Sequence, residues 1–440
     1  MILNKKNIKS AQRFRKIIND LKRRPEDAAN DLGVKNKKIL NILDGSEELS
    51  FEIIKKASEV WPVNISDFFT LEDDTNPHGY RIFTKEQSDK SSRKMYRNNK
   101  PYYLYKDTVM TKISSFRPEW IQELQIVENN DPENEDVRFN NGHFLHQFTY
   151  FIGPVNFYYI DRQGKKHVEK MNTGDSMYIS PYTPHSFTTR INNENELGVI
   201  LALTYSDKID NQTIDEIMVV GENSKNFRIN YSNKVEAFFS NIELILKNNA
   251  LTFDACKEKI DIDFSKLIRD KKLPDNKQIE KLSSFLNLSN KDLFPTDFET
   301  DVKVVRKSNR LKWFYPNEAN KEYLIHKLAD VKQLPNSKAF EMDVLQEKTN
   351  SNLETGCHQY IYNIGDSECK VTVNNNETIL LKNNYSMYLK PNVIHKFEKK
   401  SKILILRIGG KVSGEALCHY SMVSNSNIDR FMSDNKQWFN

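Results

Sequence analysis

Cysteine is scarce: Cys256, Cys357, Cys369 and Cys418 are the only four in 440 residues, and no two stand in a C-x-x-C spacing. That argues against a disulfide framework and against a zinc knuckle, and predicts free thiols in a reducing compartment. Long apolar runs are missing too. The start, MILNKKNIKS, has no apolar core of a signal peptide, and the longest apolar stretch, LGVILALTY at 197–205, has the length of a strand and cannot span a bilayer. The expectation is a soluble cytoplasmic protein with no membrane partner. A lopsided charge is also absent, since 65 basic residues face 60 acidic ones for a net +5, which implies no polyanionic partner by itself. What is present is length enough for two to four domains, and 25 Phe and 19 Tyr residues with which to build buried cores.

Residues 9–70 read as a compact helical bundle. An amphipathic RFRKIINDLKRR precedes PEDAANDLGV, with Pro at a helix start and Gly at its end, and KNKKILNILDG closes on Gly45. This order is that of a helix-turn-helix domain, and 12 basic against 4 acidic residues through Asn41 keep a DNA-binding reading open. The same fold also serves as a packing or dimerisation module. Residues 71–96 turn polar and lose periodicity, which predicts a linker. From 97 the pattern becomes strand-like and runs, with a Gln-Gly turn and a Gly-Asp turn, to about Ser206. Residues 234–295 then repeat the helical theme with 11 basic and 10 acidic residues, a neutrality that disfavours a grip on DNA.

The strongest internal signal is duplication. SMYLKPNVIHKF at 386–397 repeats SMYISPYTPHSF at 176–187, and HQYIYNIG at 358–365 repeats HQFTYFIG at 146–153. The expected fold class is therefore α+β, a tandem duplication of a helix-turn-helix-like bundle followed by a β-barrel. The expected domains are 1–75 and 234–297 (helical), 97–210 (first barrel) and 302–430 (second barrel).

Two pieces carry candidate chemistry, FNNGHFLHQFTYFIG at 139–153 and TGDSMYISPYTPHSF at 173–187. Read as strands, they place His143 and Gln147 on one face with His146 on the other, while Ile179, Pro181, Thr183 and His185 share a face. If both faces look into one barrel, His143, Gln147 and His185 meet there. Two imidazoles and an amide oxygen with open positions opposite make a mononuclear site of non-haem iron type, with a neutral Gln where a carboxylate is usual. The same residues also fit two hydrogen-bonded core histidines beside a polar Gln. Across the repeat, Gln147 maps to Gln359 and His185 to His395, but His143 maps to Thr355. One metal is expected, in the first barrel, with the second barrel degenerate and structural. His78, His146, His167, His326 and His419 form no constellation.

The run from Gly174 to Phe187, the N-N-G-H at 140–143 and the R-x7-Y formed by Arg97 and Tyr105 resemble a cupin, and helix-turn-helix plus cupin twice over resembles one family. The chain is similar, over nearly its whole length, to the non-haem iron enzymes that act on 2-hydroxyethylphosphonate, the hydroxyethylphosphonate dioxygenase and methylphosphonate synthase family. The dioxygenase branch takes its iron carboxylate from a Glu six residues before the second His; here that position is Ile179. The synthase branch uses a Gln four residues after the first His, which is Gln147.

What the resemblance implies is Fe(II) held by His143, Gln147 and His185, with O2 as co-substrate and no 2-oxoglutarate. Arg97 and Asn140 would hold the phosphonate, and Tyr105 would reach both substrate and the oxygen-derived species. Lys22, eleven residues before Gly33, matches a lysine the family places over the active site, with Arg23 and Arg24 as adjacent alternatives; Arg407 is a further, weaker match. The expected reaction is oxidative C–C cleavage of 2-hydroxyethylphosphonate to methylphosphonate and carbon dioxide or bicarbonate. The rivals are the sister reaction giving hydroxymethylphosphonate and formate, and a helix-turn-helix cupin regulator. An even-numbered homo-oligomer is the default expectation.

Overall fold

The computed structural model describes residues 5–191, 196–206, 209–434 and 436–438. The chain divides into two compact units, one of Met1–Asn76, Thr111–Ser115 and Lys411–Asn440, the other of Pro77–Met110 and Phe116–Gly410. Residues 411–430, expected with the second barrel, thus group with the amino-terminal helices.

The first unit opens with helices α1 (Lys5–Asp20), α2 (Pro25–Leu32), α3 (Asn36–Asp44) and α4 (Phe51–Val60). Their limits follow the sequence: Pro25 opens α2, Gly33 ends it with a left-handed φ of 67°, and the Ser50 hydroxyl caps α4 by accepting from the Ile53 amide. Phe14, Ile18, Ile42 and Trp61 fill the core between them.

The second unit begins inside the expected linker. That stretch holds β1 (Tyr80–Phe83), α5 (Lys85–Lys90) and β2 (Arg93–Arg97), and YRIF escaped notice because all four of its residues are half-buried, with no alternation to read. There follow β3 (Lys100–Asp107), β4 (Arg117–Glu123), β5 (Ile126–Val127), β6 (His146–Ile152), β7 (Val155–Ile160), β8 (Lys166–Met171), β9 (Ser176–Ile179), β10 (His185–Arg190) and β11 (Val199–Tyr205). Helices α6 (Asn211–Val220), α7 (Lys234–Asn248), α8 (Phe253–Ile260), α9 (Phe264–Arg269) and α10 (Asn276–Leu286) come next. A second strand series closes the unit: β12 (Val302–Val305), β13 (Lys312–Pro316), β14 (Lys321–Lys327), β15 (Ser337–Val344), β16 (His358–Asn363), β17 (Cys369–Val373), β18 (Glu377–Leu381), β19 (Ser386–Leu389), β20 (His395–Glu398) and β21 (Ser401–Ile408).

The chain is thus α+β, with mainly antiparallel sheets. Each series builds a seven-stranded sheet of the same order, β12-β9-β6-β11-β4-β3-β2 and β1-β19-β16-β21-β15-β14-β13, faced by a smaller sheet, β5-β10-β7-β8 and β18-β17-β20. The outer strand of each large sheet comes from the other repeat: β12 pairs with β9, and β1 with β19. Apolar interiors lie inside each pair of sheets, around Phe151, Phe157 and Ile179 in the first and Ile361, Val371 and Ile405 in the second.

The outer faces of the two large sheets are also buried, which is why β11 reads as a continuous apolar run and not as an alternating one. Trp120 packs edge-on against Tyr362 with ring centres 5.7 Å apart. At this seam Glu341, 2% exposed, accepts from Arg310 Nη1 at 3.0 Å and from the Tyr150 hydroxyl at 2.6 Å. Among the described residues no helix is long and apolar enough to cross a membrane.

Glu341→Ala leaves the Arg310 guanidinium buried without its carboxylate, so we expect a loss of about 3–5 kcal/mol in stability, read from the urea midpoint of the purified chain.

Candidate active site

His143 does not lie on a strand. The chain enters β6 only at His146, because Gly142 turns it with φ 72° and packs so tightly that a Cβ there would sit 2.6–2.8 Å from the Tyr182 backbone. The Tyr182 amide donates to the His143 carbonyl at 2.7 Å, which fixes the loop. Likewise 173–187 is two strands with a turn between Ile179 and His185, so strand parity does not run through it. Register does relate the pieces: Gln147 stands opposite both Ile179 on β9 and Thr204 on β11.

The turn and the strand start bring His143 and His185 together, with ring centres 5.2 Å apart. Each imidazole is held by its far nitrogen. His143 Nδ1–H donates to the Leu145 carbonyl at 2.9 Å and His185 Nδ1–H to the Thr183 carbonyl at 2.8 Å, so each turns an Nε2 lone pair inward. Burial pushes the His185 pKa down to about 3, keeping the ring neutral. Gln147 Nε2–H donates to Thr149 Oγ1 at 2.9 Å, leaving its Oε1 3.2 Å from His143 Nε2. Two acceptors face each other across that gap, an arrangement that suits a cation between them.

Asn140 is fixed by its oxygen, which accepts from the amides of Gly142 (3.0 Å) and His185 (2.9 Å), while its Nδ2–H points at His185 Nε2 at 3.0 Å. The Arg97 guanidinium sits 4.8 and 4.9 Å from the ring centres of Tyr102 and Tyr103, and donates to Ser186 Oγ and the Arg138 carbonyl. Tyr105 sits under the Arg93 guanidinium, and burial raises its pKa. Together Arg97, Tyr105, Asn140, His143, Gln147 and His185 line one cavity of about 530 Å³, part of it open to solvent. Among the described residues no three His, Cys, Asp or Glu side chains are grouped to hold a metal ion, so any such ion would need the amide.

Lys22 belongs to the first unit, where its ammonium donates to the Asp20 carbonyl at 2.5 Å and lies 5.7 Å from the Trp438 ring centre. The sequence reading missed Arg117 and Glu119, which also line the cavity; their spacing of two on one strand was the available signal. It missed Thr204 and Thr149, which only register or a hydrogen bond reveals.

In the second repeat the same scaffold carries different residues. The Asn392 amide donates to the Thr355 carbonyl at 2.8 Å, as Tyr182 does to His143, so Thr355 stands in the place of His143. Arg407, opposite Gln359 in register, donates through Nε to Gln359 Oε1 at 2.8 Å. A guanidinium thus reaches the amide oxygen where the first repeat has Thr204.

An α+β scaffold whose cavity turns two imidazole nitrogens and an amide oxygen inward beside a guanidinium has the features of a protein that pairs one metal ion with a small anion. A methylphosphonate synthase of Nitrosopumilus maritimus (strain SCM1) is 45% identical over 442 residues, 98% of this chain and 96% of that protein. Among solved structures, Streptomyces albus HEPD with 2-hydroxyethylphosphonate and Fe(II) bound superposes with a TM-score of 0.91 at 29% identity, covering 98% of this chain and 99% of that one. PhpD with cadmium, at 16% identity and a TM-score of 0.72 over 99% of this chain and 100% of that one, shares the fold. No family model matches. The chain belongs to the methylphosphonate synthase family.

One cavity-side residue breaks the rules of a core. Glu123 is fully buried, neither carboxylate oxygen has a hydrogen-bond partner among the described residues, and burial raises its pKa well above the carboxylate range. Its counterpart is Val344: Tyr103 accepts from the Phe187 amide as Tyr323 does from Phe397, and the two tyrosines face Glu123 and Val344 in register. The folded state therefore binds the Glu123 proton more tightly than the unfolded state, and stability falls as pH rises above about 4.3. Glu123→Val should raise stability at neutral pH by about 1–3 kcal/mol, with an advantage over wild type that shrinks toward pH 4 in thermal melts.

Proposed function

We propose that this chain cleaves 2-hydroxyethylphosphonate with O2, giving methylphosphonate, carbon dioxide (or bicarbonate) and water, at one Fe(II) held by His143, Gln147 and His185. The observation that carries the reading is the register pair of Gln147 with Ile179. The two positions from which the family's branches draw the third ligand are cross-strand neighbours, and here only the Gln position carries a donor. The Fe(II) and the substrate recorded in the neighbouring HEPD support both identities.

The bound ion supplies a place where the substrate's hydroxyl and phosphonate oxygens and O2 are brought together, with the electrons coming from the substrate and no 2-oxoglutarate. The chain does the rest. Arg97 presents a planar, permanently charged fork to the phosphonate oxygens, stiffened by the rings beneath it. Asn140 gives its N–H to a phosphonate oxygen once His185 Nε2 is engaged. The Tyr105 hydroxyl, which meets no protein partner among the described residues, is available to substrate. Phe187 and Ile121 on the walls keep water from the reacting carbon. Lys22 is proposed as a further catalytic group.

The finer architecture belongs to the same proposal: each repeat is a helix-turn-helix-like bundle followed by a cupin barrel, over 1–75, 97–210, 234–297 and about 302–410. A homo-oligomer in the cytoplasm completes it.

Phosphorus NMR after anaerobic loading with Fe(II) and exposure to substrate and O2 should show methylphosphonate. Hydroxymethylphosphonate as the main product would move the chain to the dioxygenase branch. Metal analysis should find one iron per chain, and two would contradict a structural second repeat.

A further inference from the structure

A carboxylate ligand offers two equal oxygens, but an amide offers one oxygen and an N–H2 that repels a cation. A Gln can therefore serve a metal only if something holds it the right way round. We propose that Thr149 is that positioning residue: its hydroxyl accepts the Gln147 N–H and so aims the amide oxygen at the metal. The proposal rests on the reading of Gln147 as a ligand.

Thr149 lies two residues along β6 from Gln147, on the same face of the strand, and its Oγ1 is 2.9 Å from Gln147 Nε2. Thr149 is 0% and Gln147 4% exposed, so bulk water does not replace the bond. The second repeat shows the same Gln without the threonine. Gln359 occupies the equivalent place on β16, but the residue two further on is Ile361, fully buried and without an acceptor. There the amide nitrogen lies 3.5 Å from His395 Nε2, and the oxygen accepts from Arg407. With Ile in place of Thr, the nitrogen side meets the imidazole that would share the metal. The buried Ile361 also shows that the sheet accepts an apolar β-branched residue here, so the strand itself does not require the Thr149 hydroxyl.

The test is the anaerobic Fe(II) dissociation constant, measured by chelator competition, with far-UV circular dichroism confirming the fold. Thr149→Val should weaken binding about 10–100-fold, and Thr149→Ser, which keeps the hydroxyl, should stay near wild type. In a Gln147→Glu background a carboxylate needs no orienting, so adding Thr149→Val should change affinity by no more than about threefold. Thr149→Ala serves in the same cycle if the valine variant does not fold. Wild-type affinity in Thr149→Val, or an equal loss in the Gln and Glu backgrounds, would overturn the proposal. Gln147→Ala separates the two readings: unchanged affinity there removes Gln147 from the ligand set and the role of Thr149 with it.

Discussion

Strand β12, which precedes the second repeat, hydrogen-bonds along β9 of the first, and β1, which precedes the first repeat, does the same for β19 of the second. This exchange covers what would otherwise be two open sheet edges, and it reaches the site. Beyond the end of β9 the Ser180 amide donates to the Asp301 carbonyl at 2.7 Å, and the Ser180 hydroxyl donates to the Asp301 carboxylate at 2.6 Å. Arg162 holds the same carboxylate from the neighbouring hairpin. The turn that delivers His185 is thus pinned by residues that arrive with the other repeat. The matching contact in the second repeat is the Lys390 amide donating to the Gly79 carbonyl at 3.0 Å.

With the scaffold held in common, the two repeats isolate what the cavity itself requires. His143 becomes Thr355, Thr149 becomes Ile361, Thr204 becomes Arg407 and Glu123 becomes Val344. Three of these changes surround the same Gln. In the first repeat the small Thr204 leaves space opposite Gln147; in the second a half-buried guanidinium occupies the matching side and bonds the amide oxygen. A positive charge on that oxygen is common to the proposed metal site and to its copy in the second repeat. The difference is that the guanidinium is covalently part of the chain and needs no second imidazole.

Much of this was legible in the sequence because duplication is a sequence property. The offsets between HQFTYFIG and HQYIYNIG, and between SMYISPYTPHSF and SMYLKPNVIHKF, marked corresponding strands, and all six cavity residues of the second unit named from the sequence line one cavity. The route was partly mistaken. Parity was applied through His143 and through 180–184, where the chain is in turns, and the side chains meet because Gly142 and the Tyr182 backbone fold the loop over the strand start. Strand β1 was invisible because its partner lies some 300 residues away, and no local pattern encodes so distant a pairing. Thr149 and Thr204 were equally hidden, since nothing in a threonine distinguishes one that orients a neighbour from one that fills a sheet.

The cavity's charge explains why a neutral amide suits this chemistry. Of the carboxyl groups on the inner face of β4, Glu119 is paired with Arg93, and burial pushes the Glu123 pKa well above the carboxylate range. The guanidiniums of Arg97 and Arg117 line the same cavity and contribute a positive potential to it. A carboxylate ligand would lower that potential, whereas a neutral amide at the proposed metal site leaves it intact. The difference counts because unit charges a few ångströms apart interact more strongly in a protein cavity than in bulk solvent. A phosphonate dianion then supplies the compensation that the protein withholds, and the site is complete electrically only when substrate is in place.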